Sequence, residues 1–184
     1  MVSCEGSVTE PGYIKGLERW LRNATVEIEI SPEHGVPLTL VRTACDLKSA
    51  AAAEARRMRD SFLAYDEVWC VFDIDEHPNL NDARQLAHAR GVELASSNPC
   101  FELWLLLHFR EQPGAQDRQH VRRMLKVYLP EYEKKLDFRD VVAGLGSAVQ
   151  RGRQLHDEAA AAGEAGRNPT SDVFRMVESL QRRE

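Results

Sequence analysis

The chain has 184 residues, 43% hydrophobic and 29% charged, and its formal net charge of −5 disfavours nucleic-acid binding by overall charge. No apolar run is longer than Leu103–Leu107, which is far shorter than the roughly 20 residues of a membrane span, and the N-terminus lacks a signal-peptide pattern. The four cysteines form no C-x-x-C pair, which argues against a zinc site and a disulfide framework, so we expect a cytoplasmic globular protein without membrane contact.

The first half of the chain alternates strand and helix patterns. A short apolar strand, Met1–Cys4, precedes a stretch opened by Thr9-Glu10-Pro11 in which apolar residues recur at helical spacing. Within Val26–Ile30, apolar residues alternate with Glu27 and Glu29. This period of two predicts a second strand. A helix is predicted from Pro37, with a weak point near Asp46.

The pattern continues with a central strand and a buried helix. The run Val68–Phe72 has no polar alternate, which indicates a strand buried on both faces. A helix follows over 80–90 with its cap at Gly91, and Val92–Ala95 is a short strand. The pair Asn98-Pro99 then begins a helix over 100–109 that is apolar on nearly every side.

The remainder of the chain has helical patterns only. One predicted helix ends before Pro130, a second covers 138–162, and a third begins within Asn168–Asp172. Together the elements predict an α/β fold, with a Rossmann-like parallel sheet of about four strands flanked by helices. Residues 1–112 are predicted to form the α/β core. Residues 113–184 are predicted to form a helical extension packed on this core, in a single compact domain.

Acidic residues end two of the predicted strands. Glu5 closes the first, and Asp73 and Asp75 follow the central strand, two positions apart and so on the same side of an extended chain. The carboxyl ends of parallel strands meet at one edge, where three carboxylates repel one another unless a cation neutralises them. Hard oxygen ligands suit Mg²⁺ or Mn²⁺. The structural alternative is that Asp75 caps the next helix and Asp73 pairs with an arginine.

Other side chains near these strand ends are weighed individually. Glu102 lies in the first turn of the apolar helix, so its carboxylate needs a metal, a basic side chain or the N–H groups of its own helix start. His77, close to Asp75, is a candidate for contacting phosphate, whereas His108 is expected to be structural. Cys100 has apolar neighbours and is expected to be inert rather than nucleophilic.

A basic segment follows the acidic half. Residues 115–155 carry 9 Lys and Arg against 5 Asp and Glu. This surplus is either solvated helix surface or a local surface for nucleic acid. In the second interpretation six residues would contact nucleic acid: Arg118, Arg122, Arg123, Lys126, Lys134 and Lys135.

The motifs resemble known families. A Glu-Gly after the first strand and an Asp-x-Asp after a later apolar strand are similar to the Toprim domain of topoisomerases, primases and OLD-family nucleases. A closer resemblance is to the RloB (AbiLii-like) family of prokaryotic defence loci, over about residues 2–109. It is carried by these blocks: Cys4-Glu5-Gly6 with Thr9-Glu10 and Tyr13, Val71–His77, and Ser97–Phe109.

The resemblance implies a Toprim-like fold and a metal-dependent nuclease that cleaves DNA or RNA, including tRNA. It implies Mg²⁺ or Mn²⁺ on Glu5, Asp73 and Asp75, with Glu5 as general acid or base; Glu102 and His77 join these three in the predicted catalytic set. RloB-like proteins are often encoded beside an ATPase, so the resemblance further implies an antiphage or restriction-associated effector with an ATPase partner. The sequence leaves the oligomeric state open, a homodimer included.

Two other functions stay open. The first is a non-catalytic sensor or adaptor of an ATPase that keeps its acidic cluster for folding or for metal-dependent assembly. The second is a haloacid-dehalogenase-like phosphatase, which also has an Asp-x-Asp after an apolar strand, with Asp73 as nucleophile and Asp75 as acid. The Glu76-His77 that follows departs from the phosphatase pattern.

Overall fold

Four short strands form one sheet in the computed structural model, which describes residues 1–21, 26–74 and 79–182. β1 (Val2–Cys4), β2 (Trp69–Asp73) and β3 (Glu93–Asn98) lie side by side and run parallel. β4 (Thr170–Ser171) pairs antiparallel with β3 at the far edge. The predicted α/β fold with a mostly parallel sheet is therefore confirmed.

Helices cover both faces of this sheet. Within the described ranges the α-helices are α1 (Thr9–Leu21), α2 (Pro37–Met58), α3 (Leu80–Arg90), α4 (Phe101–Leu107), α5 (Arg118–Tyr128), α6 (Leu145–Ala161) and α7 (Val173–Gln181). α2 runs unbroken through Asp46, and α3 ends at Gly91, whose φ of 61° is left-handed as a C-terminal cap requires. Among the described residues, no helix is both long enough and apolar enough to cross a membrane.

One predicted strand is wrong, and one predicted helix begins later than expected. Val26–Ile30 is not a regular strand: Ile30 forms a single bridge with Val2, and the N–H of Ile28 donates to the Glu18 side chain (2.7 Å) instead of to a neighbouring strand. The predicted last helix is present as α7, but it begins only after Asp172, because Thr170–Ser171 forms β4. The C-terminal half, predicted to be wholly helical, thus supplies one edge of the sheet.

Two apolar cores lie on opposite faces of β2. Trp69 and Val71 belong to the core formed with α1, α4, α6 and α7, while Cys70 and Phe72 belong to the core formed with α2 and α3. Successive side chains of a strand point to opposite faces, so a strand buried on both sides needs the unbroken apolar run found here. The prediction of a two-sided central strand is confirmed.

α4 lies inside the first of these cores, directly after β3. All of its residues, Phe101–Leu107, are buried, which confirms the apolar helix predicted from the sequence. One of these buried residues is Glu102, with 2% of its surface exposed. The fold therefore carries a carboxyl group into the protein interior at the carboxyl end of the sheet.

His108 follows α4 and is a buried structural residue, as predicted. Its Nδ1 lies 3.0 Å from the Trp104 carbonyl oxygen, so Nδ1 carries the hydrogen and donates it. Its Nε2, 3.3 Å from the Tyr13 hydroxyl, then accepts. Burial lowers the pKa of His108 to about 4, although the hydrogen bond to Trp104 opposes the shift. The ring is held neutral because a charged imidazolium would lose its hydration here.

Protonation of His108 should therefore favour the unfolded chain. Between about pH 6.5 and pH 4 the histidine is protonated in the unfolded chain but not in the folded one. The free energy of unfolding therefore decreases as the pH falls through this window. The full effect is on the order of 3 kcal/mol. Urea unfolding followed by circular dichroism should show wild type losing more stability than His108→Gln between pH 7 and pH 4. Equal losses in the two proteins would contradict this prediction.

Candidate active site

Acidic side chains from neighbouring strand ends meet at the carboxyl edge of the sheet. Glu5 directly follows β1, and its N–H donates to the Val71 carbonyl (2.9 Å), which extends the β1–β2 pairing by one residue. The Glu5 Oε2 accepts a hydrogen bond from the Asp73 N–H at 3.0 Å. The Glu5 carboxylate therefore lies beside Asp73, as the two parallel strand ends predict.

Asp73 connects three elements through one carboxylate. It ends β2, its Oδ1 accepts from the Phe101 N–H at the start of α4 (2.8 Å), and its Oδ2 accepts from Arg118 Nη2 of α5 (3.1 Å). Cys100 directly precedes α4, so the Phe101 N–H at the helix start is capped by the Asp73 side chain from another strand, and Asn98, predicted with Pro99 to begin this helix, is the last residue of β3. The pairing of Asp73 with an arginine agrees with the structural alternative that the sequence left open.

The electrostatic surroundings of Asp73 favour its protonated form more than usual. Burial raises its pKa to about 7, and Glu10, Glu102 and Glu5 act in the same direction, whereas Arg118 acts against them. Like charges close together, in a site with little water, are the usual origin of such a shift. Shifts of this kind are concentrated at functional sites.

Glu10 is a member of the cluster that the sequence analysis did not select. It lies in the first turn of α1 with 8% of its surface exposed, and its pKa is raised by burial and then by Glu102 and Glu5. A Cβ added to Gly6 would lie 2.4 Å from the Glu10 Oε2, so this carboxylate rests directly on the glycine backbone beside Glu5. The sequence could have indicated this residue through helical spacing. Glu10 precedes Tyr13 by three residues and therefore lies on the same buried face of α1.

Glu102 is held by cations from the C-terminal half of the chain. Its Oε1 accepts from Arg122 Nε (2.9 Å), Lys134 Nζ (3.1 Å) and the Tyr132 hydroxyl (3.3 Å). Burial would raise the pKa of Glu102, but Lys134 and Arg122 together outweigh it and lower the pKa. Of the partners predicted for this carboxylate, the basic side chain is the one observed.

The loop carrying Lys134 is bound to α1 as well as to α4. Lys134 has a left-handed φ of 72°, uncommon for a residue with a side chain. In this conformation its carbonyl accepts from Thr9 Oγ1 at 2.8 Å while its ammonium group reaches Glu102. Thr9 Oγ1 also lies 3.1 Å from the Tyr132 hydroxyl. Thr9 belongs to a motif that carries the family resemblance, but the motif did not indicate these bonds, and no sequence pattern pointed to Tyr132, because both roles depend on contacts between distant segments.

The six basic residues predicted to bind nucleic acid have different surroundings. Three of them form ion pairs with carboxylates of the cluster: Arg118 with Asp73, and Arg122 and Lys134 with Glu102. Lys126 forms an ion pair with Glu133, and Arg123 and Lys135 are exposed. The six residues therefore form no single uniform basic patch.

Two predicted site residues, Asp75 and His77, lie outside the described residues. Within the parts of the chain that the structure describes, no three His, Cys, Asp or Glu side chains form a group that could hold a metal ion. The predicted ligands that are described, Glu5 and Asp73, lie side by side. Both offer carboxylate oxygens, the donor type that Mg²⁺ and Mn²⁺ prefer.

Comparison with known proteins adds one match. A family model for RloB-like protein matches residues 1–180. The match includes the acidic cluster, α5 and the loop that carries Lys134. Among the curated proteins and the solved structures, nothing matches the chain.

Removing Arg122 should destabilise the fold through Glu102. Arg122→Ala leaves a buried carboxylate with less compensation, and because the arginine is 38% exposed the expected loss is moderate, about 1–2 kcal/mol. Arg123→Ala, the exposed neighbour, is the matched control and should change stability by less than about 0.5 kcal/mol. Chemical unfolding would measure both. In a double-mutant cycle with Glu102→Gln, additive losses would show that the ion pair is not the cause.

Proposed function

Since the chain belongs to the RloB-like protein family, we propose that it is a Mg²⁺- or Mn²⁺-dependent nuclease that cleaves phosphodiester bonds in DNA or RNA. The observation that carries the proposal is the acidic cluster of Glu5, Glu10, Asp73 and Glu102 at the carboxyl edge of the sheet. Parallel α/β sheets bind their ligands at this edge. A buried group of like charges lowers stability, and groups of this kind are concentrated at binding and catalytic sites.

The two described donors, Glu5 and Asp73, offer the carboxylate oxygens that a hard divalent cation prefers. Burial and neighbouring carboxylates raise the pKa values of Asp73 and Glu10, and a cation among them would relieve this repulsion. Glu5 and Asp73 would hold the ion together with Asp75. When bound, the ion would polarise a phosphodiester oxygen and lower the pKa of an attacking water.

The protein's own side chains would do the remaining work. Glu5, beside Asp73 at the open end of the strands, is the proposed general acid or base. Arg118 and Lys134 form ion pairs with Asp73 and Glu102, and in the proposed reaction their positive charges would contact a phosphate that enters the cluster. His77 remains a proposed phosphate contact, and Glu102 holds Arg122 and Lys134 in position.

The biological setting is also part of the proposal. The resemblance of the motifs to Toprim nucleases and to proteins of defence loci supports an effector that acts in the cytoplasm against phage with a partner ATPase. DNA and tRNA are both candidate substrates. A partner that controls the nuclease would explain how a small enzyme of this kind is kept from damaging its own cell.

A specific observation favours a second candidate, the non-catalytic adaptor. Arg118 compensates Asp73, and Arg122 and Lys134 compensate Glu102, as in an ion network that serves only stability. In this alternative the cluster stabilises the junction of β2, α4 and α5. The chain would then bind its ATPase without cleaving anything.

The nuclease proposal is tested with the purified full chain on single-stranded DNA, duplex DNA and tRNA. We expect cleavage that requires Mg²⁺ or Mn²⁺ and that falls by roughly 10²-fold or more in Glu5→Gln and Asp73→Asn. Asp73→Asn retains an oxygen that can accept from the Phe101 N–H, so the start of α4 should be kept. Asp46→Asn, which removes an exposed carboxylate from α2, is the matched control and should cleave like wild type.

Titration calorimetry with Mn²⁺ supplies a readout that does not depend on cleavage. Wild type and Asp46→Asn should bind the ion, and Asp73→Asn should bind it more weakly. Cleavage that is equal in wild type and both site variants would contradict the proposal. Absence of cleavage with metal-independent binding to the ATPase would favour the adaptor, and turnover of small phosphate esters through a phosphoaspartate at Asp73 would favour the phosphatase.

A further inference from the structure

An open groove of about 620 Å³ lies near the loop that carries Lys134. One wall is the outer face of α1, including Gly12, Gly16 and Trp20, and the other is the segment 135–142. Of its lining residues only Lys135 was predicted to bind nucleic acid, and neither the sequence motifs nor the family match assigns a role to the groove as a whole. Its position, aromatic content and charge all point to the same kind of ligand.

Both walls of the groove are close in sequence to residues of the candidate active site. α1 carries Glu10 of the cluster and reaches Trp20 ten residues later, about 15 Å away at the helical rise. The opposite wall begins at Lys135, next to Lys134, whose ammonium group lies on Glu102. A chain-like ligand with one phosphate at the cluster would have to span about this distance to reach Trp20.

An exposed indole lies over a rigid aromatic base. Trp20 is 46% exposed, and its ring centroid is 6.4 Å from that of the buried Phe138. Phe138 is fixed by an edge contact with Tyr13 at 5.2 Å and by its approach to α1, since a Cβ on Gly16 would lie 2.2 Å from the Phe138 Cβ. Trp20 therefore offers exposed aromatic surface to a flat ligand.

The groove is positively charged although the chain as a whole is acidic. Its lining includes three cations, Arg19, Lys135 and Arg139, and one anion, Asp137. Asp137 is paired with Arg139. A local surplus of two positive charges in a protein with a net charge of −5 favours an anionic ligand at this place.

We propose that the groove binds an unpaired nucleotide of the substrate strand away from the bond that is cleaved, with the base stacked on Trp20 and the adjoining phosphates on Arg19 and Lys135. The inference rests on the proposed nuclease function and narrows its substrate to nucleic acid that is single-stranded where it lies along the groove. Bases in a duplex are already stacked on one another, so only an unpaired base can offer its face to an indole.

The test is a fluorescence titration of the full chain in EDTA, where a metal-dependent nuclease does not cut. The other two tryptophans, Trp69 and Trp104, are buried, so quenching on addition of a single-stranded 12-mer would report Trp20. We expect quenching by the single strand and at least tenfold weaker binding of the matching blunt duplex. Trp20→Phe should lose the quenching but keep most of the affinity, measured by anisotropy of a labelled 12-mer.

Trp20→Ala should weaken binding of the single strand by about 5- to 150-fold, the range expected for one stacked base. Phe62→Ala removes another exposed aromatic ring, 95% exposed and outside the groove lining, and is the matched control that should bind like wild type. Arg19→Ala and Lys135→Ala should each reduce the salt dependence of binding by about one ion.

Failure of the inference can be told apart from failure of the proposed function. Metal-dependent cleavage together with unchanged binding by Trp20→Ala, or with equal affinity for duplex and single strand, would contradict the proposed role of the groove. The nuclease proposal would still stand in that case. Trp20-dependent binding of single strands without cleavage under any metal would support the groove and count against the nuclease. No quenching and no binding by the wild type would overturn the groove.

Discussion

The carboxylate of Glu102, buried within α4, is the constraint on which much of the C-terminal structure depends. A charge placed among leucines and aromatic rings needs compensation close by, because the interior cannot hydrate it. Arg122 of α5 and Lys134 of the following loop provide it, and the Tyr132 hydroxyl adds a hydrogen bond. α5 and the loop after it are thereby held against the carboxyl edge of the sheet, which is also where a ligand would bind.

The same compensation changes the meaning of the charge distribution. The surplus of Lys and Arg in residues 115–155 looks in sequence like one basic surface. In the folded chain Arg118, Arg122 and Lys134 are directed to carboxylates, while Arg19 of α1 joins Lys135 in the positive groove. Recognition of nucleic acid by this protein would consequently be local, with charge concentrated at the site and along one groove.

Asp73 shows how stability and the proposed chemistry are linked. Its carboxylate caps α4 and pairs with Arg118, yet burial and neighbouring acids raise its pKa to about 7. A side chain under such opposing influences is not optimised for stability alone. A divalent cation would neutralise the same neighbours that now destabilise the ionised form. The pairing with Arg118 matches the structural alternative left open by the sequence, while a role for these carboxylates in binding a metal ion remains the proposal.

The sequence by itself determined the elements whose signals are local. The unbroken run Val68–Phe72 required a strand buried on both faces, the apolar helix after Pro99 required burial, and parallel strands brought Glu5 and Asp73 to one edge. Only the tertiary structure decided the rest. The two residues of β4 carry too little pattern to predict, and they form a strand because the edge of β3 is open to them. The ionic partners of Glu102 were likewise undetermined, since Arg122 and Lys134 become its neighbours only after folding.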